Sequence, residues 1–180
     1  LQRSRVWDRN VCVNRRLLSK QKLLIVGYGS IAAHCASLAQ KIGLDVCGVN
    51  RSGEGDIPIL TMDEMYERLT EFDHVLSLLP GTPENDRVLG RRFFTALKGG
   101  THFYNFGRGT VGDEDSLIEF LATHSSSFAG LDVTYHEPLA QESVFYEHKQ
   151  VLLTPHNSCT YEEYLPLFVE EFKSRFELGQ

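Results

Sequence analysis

Lys22-Leu23-Leu24-Ile25-Val26-Gly27-Tyr28-Gly29-Ser30-Ile31-Ala32 runs an apolar strand directly into Gly-x-Gly-x-x-Ala and then into a helix. This is how a chain builds a site for a dinucleotide pyrophosphate. Gly27 lets the backbone turn out of the strand, Gly29 lets it approach phosphate without a Cβ in the way, and small Ala32 lets the helix lie close on a sheet. The amides that open the helix, from Ser30 and Ile31 onward, then meet the anion with the positive end of the helix dipole. Ile31, Cys35, Leu38, Ala39 and Ile42 fall on one helical face and form the expected packing stripe. A second apolar run, Val46-Cys47-Gly48-Val49, follows the break at Gly43.

The chain has 180 residues, enough for one sizeable core and too few for two full domains. Its 42% hydrophobic content and net charge of −6 describe an ordinary, mildly acidic globular protein and exclude the basic surplus of a nucleic-acid binder. No apolar run approaches the roughly 20 residues needed to cross a bilayer, and the N-terminus has no signal-peptide core. A cytoplasmic location is therefore expected, without membrane or nucleic-acid partners. Cys12, Cys35, Cys47 and Cys159 are widely spaced and no His cluster has metal spacing, so neither a disulfide framework nor a metal site is expected.

Strands and helices alternate along the rest of the chain. After the strand over 45–49 comes a Gly-rich loop over 52–58, then a helix with Thr61 as N-cap and Glu64 completing a capping box. Val75–Leu79 reads as a third strand, 91–97 as a helix, and 101–105 as a fourth strand. Asp113 caps a further helix, and 128–131 and 151–153 supply two more strands. Near-continuous apolar strands separated by helices predict an α/β fold: a doubly wound, Rossmann-type parallel sheet with helices on both faces over residues 22–180. The unusual residue clusters all fall at the carboxyl ends of these strands, where ligands bind in such sheets. The segment 161–176 reads as an amphipathic helix whose stripe of Tyr164, Leu165, Phe168, Val169, Phe172 and Phe176 packs inward, with Pro166 inside it. Residues 1–21, with Trp7 and several Arg, fit a helical arm or linking helix ahead of the first strand.

Five segments, in this order, closely resemble the D-isomer-specific 2-hydroxyacid dehydrogenases. They are Gly27–Ala32, Leu79-Pro80-Gly81-Thr82-Pro83, Asn105-Phe106-Gly107-Arg108-Gly109, Leu131-Asp132-Val133 with Glu137-Pro138-Leu139, and Thr154-Pro155-His156. The resemblance covers nearly the whole chain. It implies an oxidoreductase that moves hydride between NAD(P)H and a small 2-oxo or D-2-hydroxy acid, with Arg108, Glu137 and His156 as its catalytic residues. The chemistry suits the match. A 2-oxo acid needs hydride at the carbonyl carbon, a proton for the oxygen, and a cation for its carboxylate. Imidazole at His156 can supply the proton. A carboxylate at Glu137 favours the imidazolium and orients the ring, and Arg108 can hold a planar carboxylate in a bidentate grip. By the same resemblance Asp132 hydrogen-bonds the nicotinamide carboxamide, and Leu79 and Pro80 line the cofactor.

An NAD site normally carries Asp or Glu at the end of the second strand for the adenosine ribose. Asn50, Arg51 and Ser52 stand there instead, and Arg and Ser can accept a 2′-phosphate. NADP is therefore the expected cofactor, with NAD as the alternative. Arg-Ser at this place is similar to the glyoxylate and hydroxypyruvate reductases that prefer NADPH.

Family members also have a separate substrate domain that this sequence does not contain, so the resemblance implies that these residues bind cofactor but turn over 2-oxo acids poorly by themselves. Its cofactor domains pair as homodimers, which makes residues 1–21 the expected interface. Some relatives are dinucleotide-dependent dimeric scaffolds, such as corepressors, that keep the same three residues, and this non-enzymatic alternative stays open at the level of sequence.

Overall fold

The first strand, β1 (Lys22–Val26), has Leu24, Ile25 and Val26 completely buried, as an apolar run covered on both faces requires. The computed structural model describes residues 5–10 and 16–177. Around β1 it arranges β2 (Asp45–Val49), β3 (Ile59–Leu60), β4 (His74–Ser77), β5 (His102–Asn105), β6 (Phe128–Leu131) and β7 (Val151–Leu153). Every pairing in this sheet is parallel, and the order is β3-β2-β1-β4-β5-β6-β7. Connections run outward from β1 in one direction and from β4 in the other. The crevice between the carboxyl ends of these two strands is the topological switch point.

Helices cover both faces. On one lie α2 (Met62–Arg68), α3 (Arg91–Ala96) and α4 (Glu114–Thr123), whose Met65, Phe93, Phe94, Leu117, Phe120 and Leu121 meet Leu24, Val75 and Phe103 of the strands. Phe94 and Phe103 pack edge to face at 5.2 Å, and burying a side chain of this size contributes about 2–3 kcal/mol. On the other face α1 (Ser30–Lys41) lies over Leu23, Ile25 and Val46. The two caps read from sequence form: Thr61 and Glu64 make the reciprocal capping box of α2, and Asp113 accepts the Ser116 amide at the head of α4.

Four local readings differ from expectation. Ile59–Leu60, between the predicted loop and the helix capped by Thr61, forms a strand because it pairs with Gly48 and Val49. In α1 the buried face is Ala32, Ala36 and Ala39, one position round from the predicted stripe. Ile31, Leu38 and Ile42 point outward, since only small side chains let the helix sit this close to the sheet. The apolar stripe of α5 (Tyr164–Glu177) is also exposed, from Tyr164 at 44% to Leu165 at 68%. It does not pack inward on the described residues. In the N-terminal segment, residues 16–21 form an extended stretch with a single 3-10 turn at Leu18–Lys20, not an α-helix. The rest of that expected helix falls partly on residues 1–4 and 11–15, which lie outside the described residues.

Candidate active site

Gly27 leaves β1 with φ +98°, and a Cβ there would stand 2.8 Å from the backbone of Leu78 and Leu79. The turn after β1 is therefore seated backbone to backbone on the segment after β4, a contact only glycine permits. Gly29 is the opposite case: a Cβ there would meet nothing within 4 Å. It opens onto a cleft of about 680 Å³ that Asn50, Arg51, Leu79 and Pro80 also line. No side chain caps α1, whose N-cap is Gly29, so the positive end of its dipole lies at this turn; Ser30 and Ile31, which open the helix, are not among the residues lining the cleft. These features fit a dinucleotide: an open glycine cradle at an uncapped helix start, with apolar walls from Val49, Met62 and Val88.

The three residues after β2 divide their tasks. Asn50 is consumed locally, its Oδ1 accepting the Gly53 amide at 2.8 Å and the Ser52 hydroxyl at 3.1 Å while its Nδ2 donates to the Glu54 carbonyl. It shapes the turn. Arg51 lines the cleft, opposite Glu84. The Glu84 carboxyl lies below its ordinary value through its own amide and the Thr82 hydroxyl, with the Arg51 charge adding to them.

Beyond the switch point, the turn after β5 carries Arg108. Gly107 and Gly109 flank it, and a Cβ on Gly107 would lie 2.5 Å from the Leu79 carbonyl oxygen, one on Gly109 1.9 Å from that of Thr134. Arg108 is thereby wedged between the segment after β4 and the segment after β6. The latter segment bears Glu137. Its Oε2 meets Nδ1 of His156 at 2.7 Å, and its Oε1 accepts the Thr134 amide at 3.1 Å. Burial pushes the Glu137 carboxyl up, but the His156 and Thr134 hydrogen bonds and the charges of His156 and Arg108 outweigh it and leave it below the usual carboxylate range. Arg108, Glu137 and His156 are thus on one side of the molecule. With Nδ1 held by Glu137, Nε2 of His156 is the ring nitrogen left without a hydrogen-bond partner among the described residues.

His156 itself has φ +50°, an uncommon conformation for a side-chain-bearing residue. Asp132 holds it there. The His156 amide donates to the Asp132 carbonyl at 2.8 Å, and the Asp132 carboxylate accepts the amides of Asn157 and Ser158 and the Thr154 hydroxyl. Burial raises the Asp132 carboxyl, yet these donors from Thr154, Ser158 and Asn157 prevail and keep it low. Asp132, Glu137 and His156 line a second cleft of about 650 Å³ with Leu139, Tyr146 and Pro155.

The model of the D-isomer specific 2-hydroxyacid dehydrogenase NAD binding domain matches residues 1–158. The chain belongs to this family. D-3-phosphoglycerate dehydrogenase 2, chloroplastic, of Arabidopsis thaliana is 28% identical over 163 residues, which cover 87% of this chain and 26% of that protein. Glyoxylate/hydroxypyruvate reductase B of Klebsiella pneumoniae is 40% identical over 95 residues, 52% of this chain and 29% of that one. Among solved structures, the D-isomer specific 2-hydroxyacid dehydrogenase of Xanthobacter autotrophicus, in complex with NADPH and MES, superposes with a TM-score of 0.83 at 28% identity. The match covers 99% of this chain and 74% of that one. The chain spans between 26% and 43% of the length of the curated relatives it matches here.

In this 2-hydroxyacid dehydrogenase NAD-binding domain, two threonines shape the site. Thr134 holds Glu137 through its amide, and Thr154 ties its hydroxyl to Asp132. Sequence reading misses Thr134, since a backbone amide donor carries no side-chain signature, and it gives Thr154 only as part of the Thr154-Pro155-His156 segment, without a role. Among the described residues no group of three or more His, Cys, Asp or Glu is placed to hold a metal ion, and no helix is long and apolar enough to cross a membrane.

Proposed function

We propose that this chain is the cofactor-binding part of an oxidoreductase that interconverts a small 2-oxo acid and its D-2-hydroxy acid, with NADP(H) favoured over NAD(H). The observation that carries this reading is the Glu137–His156 pair at 2.7 Å, facing the Arg108 charge at the same sheet edge as the Gly29 cradle. When bound, the nicotinamide supplies or accepts the hydride. Arg108 holds the substrate carboxylate and polarises the neighbouring carbonyl. His156 moves a proton between Nε2 and the substrate oxygen, while Glu137 on Nδ1 orients the ring. Asp132 acts one step removed, because its carboxylate is already occupied in holding the His156 segment.

The cofactor preference rests on Arg51 and on the lack of a carboxylate at residues 50–52. The NADPH complex of the Xanthobacter relative points the same way. A second copy of the chain is the proposed partner, docked through the N-terminal segment, where Val6, Trp7 and Leu17 are exposed.

Fluorescence titration with NADPH and NADH tests the cofactor assignment. The native chain is expected to bind NADPH more tightly, and Arg51→Ala to weaken NADPH about tenfold while changing NADH less than twofold, as for loss of a charged hydrogen bond. Equal affinity for the two in the native chain would overturn the NADP preference. Failure to bind either would overturn the function.

A further inference from the structure

Tyr28 stands between the two glycines of the phosphate turn, where dinucleotide binding itself asks nothing of the side chain. Its amide and that of Gly27 both donate to the Val49 carbonyl, at 2.8 and 3.0 Å, which pins the turn to the end of β2. Its ring lies over Gly48 of β2. A Cβ on Gly48 would come within 2.7 Å of the ring and 2.6 Å of the Ile59 side chain, and one on Gly55 within 2.7 Å of Ile59 and 3.4 Å of the ring. Two glycines therefore open the slot that the aromatic ring and Ile59 fill. At its far end the Tyr28 hydroxyl donates to Oδ1 of Asp56 at 2.5 Å. Asp56 belongs to the same loop, residues 50–58, that presents Arg51.

That loop is tied in two places. Its first half is knotted around Asn50, as described above. Its second half returns to the sheet through Ile57, which packs in the α1 cluster, and through the Pro58 carbonyl, which accepts the Gly48 amide at 2.9 Å. The Tyr28–Asp56 bond is the side-chain link between this loop and the glycine turn.

Resting on the NADP reading above, we infer that Tyr28 and Asp56 are positioning residues for cofactor selection, fixing the Arg51 loop against the phosphate turn so that the site favours a 2′-phosphorylated adenosine. The two ends of the nucleotide are held by different parts of the protein. The 5′-phosphates meet backbone amides on α1, which stay in place when the loop slackens. The 2′-phosphate meets side chains on the loop, which do not. Burial, then Asp56, push the Tyr28 hydroxyl up to about 12, so it remains a proton donor at any working pH.

The test compares binding of 2′,5′-ADP and 5′-AMP, which differ only in the 2′-phosphate, to the native chain and to Tyr28→Phe, Asp56→Ala, Asp56→Asn and the Tyr28→Phe/Asp56→Ala pair. Phe keeps the ring in its slot, so the fold is retained. Tyr28→Phe and Asp56→Ala should each weaken 2′,5′-ADP about fivefold, the worth of one hydrogen bond, with 5′-AMP unchanged within twofold. The double variant should be no weaker than either single one, and Asp56→Asn, which keeps an acceptor oxygen, should retain most of the affinity. Equal losses for both nucleotides, additive losses, or unchanged 2′,5′-ADP binding in a native-preferring background would each overturn the positioning role alone. A native chain that binds both nucleotides equally would overturn the NADP reading, and the positioning role with it.

Discussion

Gly109 is the point at which two loops of the candidate site touch. A methyl group there would overlap the Thr134 carbonyl at 1.9 Å and crowd the Tyr135 amide at 2.7 Å. Neither neighbour can yield cheaply, because both are backbone and the Tyr135 amide is held by Glu114 at 2.8 Å. Gly109→Ala should therefore cost about 2–3 kcal/mol in urea unfolding, at the upper range for overpacking. A cost below about 0.5 kcal/mol would show that the loops part freely. His156 shows the converse economy of means: its left-handed backbone is set by bonds from its own segment to Asp132, not by glycine at the position. Both residues were legible as site members from their neighbours in sequence. The contact between Gly109 and Thr134, 25 residues apart, was not.

At the scale of elements, α1 turns its alanines to the sheet and its larger apolar residues away, and α5 leaves its whole stripe uncovered. Periodicity finds such helices but cannot name the buried face when small and large apolar residues alternate by one position. An alanine face and an isoleucine-leucine face look alike to a pattern of spacing. Packing decides, because the Gly-x-Gly-x-x-Ala turn brings the helix axis too near the strands for branched side chains. The exposed Val6, Trp7 and Leu17 make the N-terminal segment the element to test for pairing with a second copy. Sedimentation should give a dimer for the full chain and a monomer after removal of residues 1–15, a cut that spares the Arg16–Asp73 pair at 2.6 Å. A dimer that survives the cut, or a full chain that sediments as a monomer, would refute this interface.

Across the whole molecule, the two ends of the sheet do different work. At the carboxyl ends of the strands lie the cleft and the Arg108, Glu137 and His156 set. At the amino ends lies a knot of charge: Asp73 accepts Arg16, Lys98 at 3.1 Å and the Lys22 amide at 2.9 Å, and Glu71 pairs with Arg68 at 2.7 Å and Lys22 at 3.0 Å. Hydrogen bonds from Arg68 and then Lys22 lower Glu71 to about 2. Burial raises Asp73, but the Lys22 amide, Lys98 and Arg16 prevail and leave it below its ordinary value. Both carboxyls are lower in the folded chain than in the unfolded one. Their contribution is thus complete above about pH 4.5 and is lost as the pH falls toward 2. The urea midpoint should drop between pH 5 and pH 3, and Asp73→Asn should lower it at pH 7 and flatten the fall. A variant whose decline parallels the native one would remove Asp73 from this account.

What the sequence determined alone was local chemistry and its order: strand into glycine turn into helix, the Thr61 and Asp113 caps, and a set of charged residues each placed just after a strand. Those follow from propensity, turn stereochemistry and hydrophobic period, which act over a few residues. Tertiary structure alone decided that Ile59–Leu60 is a strand, which face of α1 is buried, that Asp132 holds the His156 segment, and that Tyr28 reaches Asp56. Each depends on groups far apart in the chain meeting within a few ångströms, and short-range pattern carries no record of where a parallel sheet will bring its distant loops together.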